Sequence, residues 1–311
     1  MRTFLIAASA LLSACALAPL AAAETPVQPV DLLLTSATVV DVEKGTTTPD
    51  QLVAVRGGDI VAVGPEGEAG RYRAARTWDL GDRYVMPGLW DMHVHFGGGE
   101  PLIDENAELM PLFVVNGVVA VRDAAGDLAQ QVLDWRASPP TADAPRIFTS
   151  GPKIEGIAPV WKGVIETGSE ADVDAALDRL QALRVDFVKI TDNTLTPELF
   201  LYAVREAKKR GMKTSAHIPA SITVLTAAEA GLSSIEHLDY AMKAGSRDEA
   251  AIAADYLAGK YTYAQTMRRY ADTFDVETAR RVYARLAELG TAVSPTLYGS
   301  TTLANLDKDD H

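Results

Sequence analysis

Histidine is scarce in this chain, and its positions indicate metal chemistry. Four of the five histidines end short apolar runs typical of β-strands: His93, His95, His217 and His237. Neutral imidazole is the commonest protein ligand for zinc and related ions. In a parallel α/β architecture the carboxyl ends of the strands share one face, so side chains from separate strands can meet there. We therefore predict that these four residues are metal ligands, and we assign no role to His311, the last residue.

The first two histidines are separated by a single residue in the run LWDMHVHF, residues 89–96. Side chains alternate across a strand, so His93 and His95 lie on one face and can chelate one cation. The opposite face is wholly apolar and is expected to pack on helices. A pair of ordinary core or surface histidines is the structural alternative.

Lys189 lies inside another apolar run, DFVKI at residues 186–190. Burying a charged lysine costs free energy unless the amine is paired or neutral. One interpretation is a lysine at a strand end whose amine reaches solvent. The other is a carbamate, formed with carbon dioxide, whose two oxygens bridge two divalent ions.

The elements that must position these residues alternate between strands and amphipathic helices, which is typical of a parallel sheet. Three helices are well marked, opening at Ser169, Thr196 and Asp275. Predicted strands lie near residues 85–95, 117–122, 146–151, 185–190, 213–218, 233–238 and 291–297. This pattern favours a (β/α)₈ TIM-type barrel that is one strand short. An open doubly wound sheet is the alternative, but no glycine-rich phosphate loop follows an early strand.

Residues 24–84 have a different pattern, with β-like runs at 31–41, 51–56 and 60–63. Gly57-Gly58 joins the last two and predicts a hairpin. We expect three parts: a signal peptide over residues 1–23, the N-terminal part of a small β-sandwich over 24–84, and the barrel over 85–311.

The signal-peptide prediction rests on Arg2, an apolar stretch and an alanine-rich cleavage site before Glu24. It implies a periplasmic or secreted protein without a stable membrane span. Leu12-Ser13-Ala14-Cys15 is the alternative signal, for a lipoprotein anchored through Cys15. A net charge of −13 without a basic run argues against a nucleic-acid partner and favours a small-molecule substrate. A homo-oligomer is compatible with the sequence.

Four motifs together resemble the amidohydrolase superfamily, in particular its imidazolonepropionase-like branch with the Xaa-Pro and Xaa-Arg dipeptidase relatives. They are VMPGLWDMHVH at 85–95, FVKI at 187–190, SAH at 215–217 and IEH at 235–237. The resemblance implies a hydrolase of C–N bonds, such as amide, dipeptide-like or cyclic amide bonds. It implies two divalent ions, zinc by default, bridged by a hydroxide and by Lys189 as a carbamate. His93 and His95 would bind the more buried ion, and His217 and His237 the second.

The resemblance also implies an aspartate at the end of an eighth strand, acting as general base and acid. Nothing after Leu297–Ser300 matches that strand. We therefore expect the 311 residues to be part of a longer gene product and, expressed alone, to fold poorly and hydrolyse little.

Three residues near the predicted mouth are candidates for holding a substrate carboxylate or side chain: Lys153, Trp161 and Tyr240. The long span 243–274 is expected to form either a helical cover over the site or a helical excursion outside the barrel. Three other functions remain open: a phosphotriesterase or lactonase on the same metals, a deaminase with one metal, and an inactive binding protein.

Overall fold

The computed structural model describes residues 27–303, 305, 306 and 308. The predicted signal peptide with Cys15, and His311, lie outside the described residues. The chain forms two compact units, one ending at Pro87 and the other beginning at Gly88.

The first unit is a five-stranded sheet with a buried apolar side around Leu33 and Leu52. Its order is β3-β2-β1-β4, with β5 also pairing with β1. The predicted hairpin is present: β2 and β3 are antiparallel, and both turn glycines have the positive φ that a tight hairpin turn needs. The strands are β1 (Gln28–Asp41), β2 (Thr46–Arg56), β3 (Asp59–Pro65), β4 (Tyr72–Asp79) and β5 (Tyr84–Val85).

The second unit contains parallel strands alternating with helices. One sheet has the order β6-β7-β8, and the other β10-β9-β11-β12-β13-β14. The strands are β6 (Leu89–Val94), β7 (Val118–Asp123), β8 (Arg146–Thr149), β9 (Ile154–Glu155), β10 (Ile165–Glu166), β11 (Val188–Ile190), β12 (Thr214–Ala216), β13 (Ser234–Glu236) and β14 (Ala292–Ser294). All seven predicted barrel strands are thus represented.

The two sheets of this unit are joined at one strand position. The Asp186 amide donates to the Thr149 carbonyl of β8, and the Thr191 amide donates to the Ile154 carbonyl of β9. β8 and β9 therefore occupy a single strand position next to β11, one after the other along the chain. The seven strand positions succeed each other in chain order.

Ten α-helices occur among the described residues, and the three that the sequence marks best are confirmed. Ser169, Thr196 and Asp275 each accept a hydrogen bond from a backbone amide of the first turn. Gly290 ends the third of these helices in the left-handed conformation. The helices are α1 (Ile103–Val115), α2 (Ala129–Ala137), α3 (Glu170–Ala182), α4 (Pro197–Lys209), α5 (Val224–Ala230), α6 (Leu238–Met242), α7 (Glu249–Leu257), α8 (Tyr263–Asp272), α9 (Val276–Leu289) and α10 (Leu297–Leu303).

The predicted strand at 85–95 is divided in the structure. Val85 pairs with β1 in the first unit, whereas β6 starts only at Leu89. Pro87 lies in the break, where it cannot donate a ladder hydrogen bond. The apolar face of β6 is also less covered than predicted, because Trp90 is 49% and Met92 46% exposed.

The strands curl far enough for distant positions to meet. The imidazole of His93, on the first strand of the second unit, contacts the carboxylate of Glu236 on the sixth at 2.6 Å. No helix among the described residues is long and apolar enough to cross a membrane.

Candidate active site

The structure brings together the five residues that the sequence singles out as metal ligands. His93 Nε2 lies 3.1 Å from His95 Nε2, and His217 Nε2 lies 3.0 Å from His237 Nε2. The His93 and His237 rings are 4.5 Å apart between centroids. Lys189 lines a cavity that it shares with His95 and His217. The four imidazoles thus form two pairs, with the lysine amine beside them.

In the His93–His95 pair, each ring is oriented by a hydrogen bond at Nδ1, the ring nitrogen that does not face the other histidine. His93 Nδ1–H donates to Glu236 Oε2, and His95 Nδ1–H donates to the Ala125 carbonyl at 2.9 Å. A neutral imidazole carries one N–H, so both Nε2 atoms carry lone pairs. These lone pairs face each other across 3.1 Å. A cation between the two nitrogens would stabilise this arrangement, because both could then act as ligands.

The second pair is supported by polar and aromatic neighbours. His237 Nδ1 lies 2.7 Å from the Thr296 hydroxyl, and His217 Nδ1 lies 3.7 Å from Asp192 Oδ1. The Tyr240 ring stacks on His217 at 4.9 Å, and its hydroxyl donates to Asp192 at 3.2 Å. Tyr240 thereby orients both His217 and its carboxylate neighbour.

His237 adopts a backbone conformation that side-chain-bearing residues rarely occupy, with φ of +64°. Such strain costs on the order of 1–3 kcal/mol and persists only where the surroundings enforce it. Here the His237 amide donates to the Ser294 carbonyl of β14, and the next amide donates to the Pro295 carbonyl. In this conformation the His237 ring places its Nε2 3.0 Å from His217 Nε2.

Burial keeps the four imidazoles neutral at pH 7. It lowers the pKa of His95 and of His237 to about 4, and the like charge of His93 adds to the effect in both. The pKa of His217 is also lowered well below the usual value, first by burial and then by Lys189. Neutral rings are the form that binds metal.

Lys189 is fully buried, and its Nζ has no hydrogen-bond partner among the described residues. Burial lowers its pKa to about 7, although the negative charge of Glu236 opposes the shift. An amine with this pKa is partly neutral, and therefore nucleophilic, at physiological pH.

The nitrogen atoms of the four imidazoles meet part of what a divalent ion requires of its ligands. Two nitrogens bound to one ion at about 2.1 Å stand roughly 3.0 Å apart at a right angle and roughly 3.4 Å apart at the tetrahedral angle. The spacing within each imidazole pair lies at the short end of this range. Among the described residues, however, no three His, Cys, Asp or Glu side chains form a ready group for one ion. Each pair needs a further ligand, and an oxygen anion at Lys189 has the chemistry to supply it.

Glu236 is the site residue whose role the sequence did not reveal. Its carboxylate is completely buried and accepts hydrogen bonds from His93, Arg122, Ser215 and Ser234. Burial opposes its ionisation, but the His93 hydrogen bond and the charges of Lys189 and Arg122 hold its pKa far below the usual range. The feature of the sequence that could have indicated this role is an acidic residue inside a short, buried strand.

Two cavities open beside the imidazoles. One, of about 940 Å³, is lined by His93, His237, Tyr240 and Tyr263 among others. The other, of about 440 Å³, is lined by His95, Lys189, Lys153 and Trp161 among others. The predicted substrate residues are therefore divided between two cavities. Tyr263, on α8, shows that the span 243–274 reaches the larger one.

Lys153 is only 8% exposed, and its Nζ lies 4.8 Å from the centroid of the Trp161 ring. Burial lowers its pKa, while Glu155 and Asp127 oppose the shift. The smaller cavity thus has a cation and an aromatic face beside the imidazoles.

Comparison with known proteins agrees with this architecture. No protein-family model matches the sequence. Ochratoxinase from Aspergillus niger is 22% identical over 50% of this chain and 44% of its own length. Its crystal structure superposes with a TM-score of 0.59 at 16% identity, covering 85% of this chain and 75% of that one.

Two further solved structures share the arrangement. A putative prolidase from Bifidobacterium longum gives a TM-score of 0.61 at 18% identity, covering 86% of this chain and 74% of that chain. A Xaa-Pro dipeptidase with bound methionine gives 0.57 at 21% identity, covering 85% and 78%. The chain shares the fold of these solved structures. The predicted resemblance is confirmed at the level of fold, and the chain spans less than half the length of the curated ochratoxinase.

Proposed function

We propose that this protein is a metal-dependent amidohydrolase that cleaves C–N bonds in small molecules. The observation that carries the proposal is the buried, unpartnered amine of Lys189 beside two pairs of imidazoles. The similar proteins support the class of reaction, because their names describe a prolidase, a Xaa-Pro dipeptidase and an ochratoxinase.

His93 and His95 would hold one ion, and His217 and His237 a second. The neutral form of the Lys189 amine would attack carbon dioxide: the N–C bond forms as one C=O π bond opens, and the nitrogen releases one proton to solvent. The product is a carbamate anion with two ligand oxygens; the cationic form of the amine would first have to release a proton of its own. When bound, divalent ions, with zinc as the default for imidazole ligands, would activate water and polarise the scissile carbonyl. The aspartate that the resemblance implies for proton transfer stays a prediction.

We further propose that the seven parallel strand positions belong to a (β/α)₈ barrel. Their succession in chain order and the contact between the first and sixth positions support this architecture. The sandwich formed by the 24–84 segment, and export through residues 1–23 or lipidation at Cys15, stay proposals supported by the sequence pattern.

The smaller cavity favours a substrate with an anionic group. Lys153 is buried there, no carboxylate among the described residues is hydrogen-bonded to it, and the Trp161 face is adjacent. A substrate carboxylate beside Lys153 would gain a charge-assisted hydrogen bond in a desolvated site. Tyr240 would border the substrate on the side of the larger cavity.

Metal counting tests the proposed function. The protein loaded with zinc should hold two ions per chain, measured by mass spectrometry of the metal content. Lys189→Met should lose both ions and hydrolysis, because neither imidazole pair then has its anionic ligand. The exposed Lys209→Met is the matched control and should retain both ions. A wild-type protein that binds one ion or none would contradict the binuclear site.

A further inference from the structure

We propose that Glu236 is a positioning residue that fixes the tautomer of His93, so that the ring presents its Nε2 lone pair to the metal. The inference rests on the proposed metal site, but its geometry is independent of any bound ion. It assigns a role to a carboxylate that lies outside the proposed set of metal ligands.

The carboxylate of Glu236 is held from four strands. Oε1 accepts three hydrogen bonds, from Arg122 Nη1 at 2.9 Å, Ser215 Oγ at 2.7 Å and Ser234 Oγ at 2.6 Å. Oε2 accepts one, from His93 Nδ1 at 2.6 Å. With Oε1 anchored by β7, β12 and β13, the carboxylate cannot rotate, and Oε2 points at the imidazole of β6.

This anchoring dictates the proton position on His93. A carboxylate paired with a guanidinium is an acceptor only, so His93 must donate from Nδ1. Its single proton is then used, and Nε2 faces His95 unprotonated. Mutation of a carboxylate that orients a ligand imidazole in this way typically lowers metal affinity by about 10- to 100-fold.

The same strand serves both imidazole pairs. Glu236 ends β13, and His237 follows it directly with its ring 3.0 Å from His217. β13 therefore supplies a ligand to one pair and orients a ligand of the other. A carboxylate present only to neutralise Arg122 would not need the His93 contact.

Glu236→Gln separates these roles, because glutamine has the same shape. The three donors around Oε1 hold the amide oxygen there, so the amide NH₂ replaces Oε2. That group can only donate, which forces His93 Nδ1 to accept and moves the proton to Nε2. We expect ¹⁵N NMR of the metal-free full chain to show Nδ1–H on His93 in the wild type and Nε2–H in the variant. Zinc affinity at the His93–His95 pair should fall at least tenfold.

Ser215→Ala is the matched control, since it removes one donor to Oε1 and leaves the His93 contact in place. It should keep both the wild-type tautomer and the zinc affinity. An Nε2–H tautomer in the metal-free wild type would overturn the proposal, even if the variant failed to fold. So would an unchanged tautomer in folded Glu236→Gln. A wild-type protein without metal affinity would instead refute the proposed function, while the tautomer would still decide the role of Glu236.

Discussion

At the residue scale, the ligand candidates were predictable and their supporting residues were not. The histidines are visible because strand alternation and strand ends are local features of sequence. Glu236 acts through His93, which is 143 positions away, and Arg122, which is 114 positions away. Those pairings depend on how the strands curl, which no local pattern encodes.

Lys153 provides a prediction about substrate binding. Lys153→Met should raise KM for an anionic substrate and lower kcat/KM by about 10- to 100-fold, because a charge-assisted hydrogen bond contributes roughly 1.5–3 kcal/mol. Steady-state kinetics with a carboxylate substrate and its neutral amide would measure the effect, which should be small for the amide.

Lys162→Met is the control for this experiment, since Lys162 lines the same cavity but is exposed. Its kinetics should stay close to wild type. Equal losses in the two variants would show that the cavity attracts anions by general charge and that Lys153 has no specific contact.

At the element scale, the loop after β12 is held by two side chains from the span 243–274. The fully buried Lys243 donates to the carbonyls of Ile218, Pro219 and Ile222, and the Tyr270 hydroxyl donates to Ala220 at 2.7 Å. His217 lies at the start of this loop. The helical span could be predicted from the sequence. The contacts of Lys243 and Tyr270 could not, because they depend on the path that the span takes across the loop.

Lys243 makes part of the stability depend on pH. Burial lowers its pKa from 10.5 to about 8. Between those pH values the unfolded chain binds more protons than the folded one, so this residue makes stability rise with pH. Below pH 8 the lowered pKa of Lys243 reduces the free energy of unfolding by its full amount, up to about 3 kcal/mol. This reduction becomes smaller as the pH rises towards 10.5.

Urea unfolding of the wild type and of Lys243→Met at pH 7 to 10 would measure this contribution. The variant lacks the amine that donates to three carbonyls, so it should be less stable than the wild type at every pH. Above pH 8, however, its free energy of unfolding should rise less than that of the wild type. Parallel curves would show that Lys243 is not the group responsible.

At the scale of the whole molecule, the order of strands and helices followed from the sequence, whereas the division of the run at 85–95 into two strands did not. The predicted run at 85–95 is continuous in hydropathy, yet it is divided between two compact units. Trp90 and Met92 remain half exposed although the alternation predicts a covered face. Burial on both faces depends on neighbouring strands, which periodicity within one run does not report.

Metal removal should lower the stability of the second unit, because its ligands come from strands far apart in the chain. An ion present at one hundred times its Kd stabilises the folded state by about 3 kcal/mol. Calorimetry after chelation should show a Tm lower by several degrees, and added zinc should restore it. An unchanged Tm would contradict a site built from folded strands.

If the proposed metal site forms, the adjacency of Glu236 and His237 makes its choice of metal depend on strand alignment. A shift of β13 by one residue against β12 and β14 would exchange an anionic oxygen donor and a neutral nitrogen donor. In the proposed metal site, the softness of the ligand set would therefore depend on a ladder of backbone hydrogen bonds as well as on side-chain identity. Insertions or deletions between α5 and β13 would consequently alter ion preference without touching a single ligand.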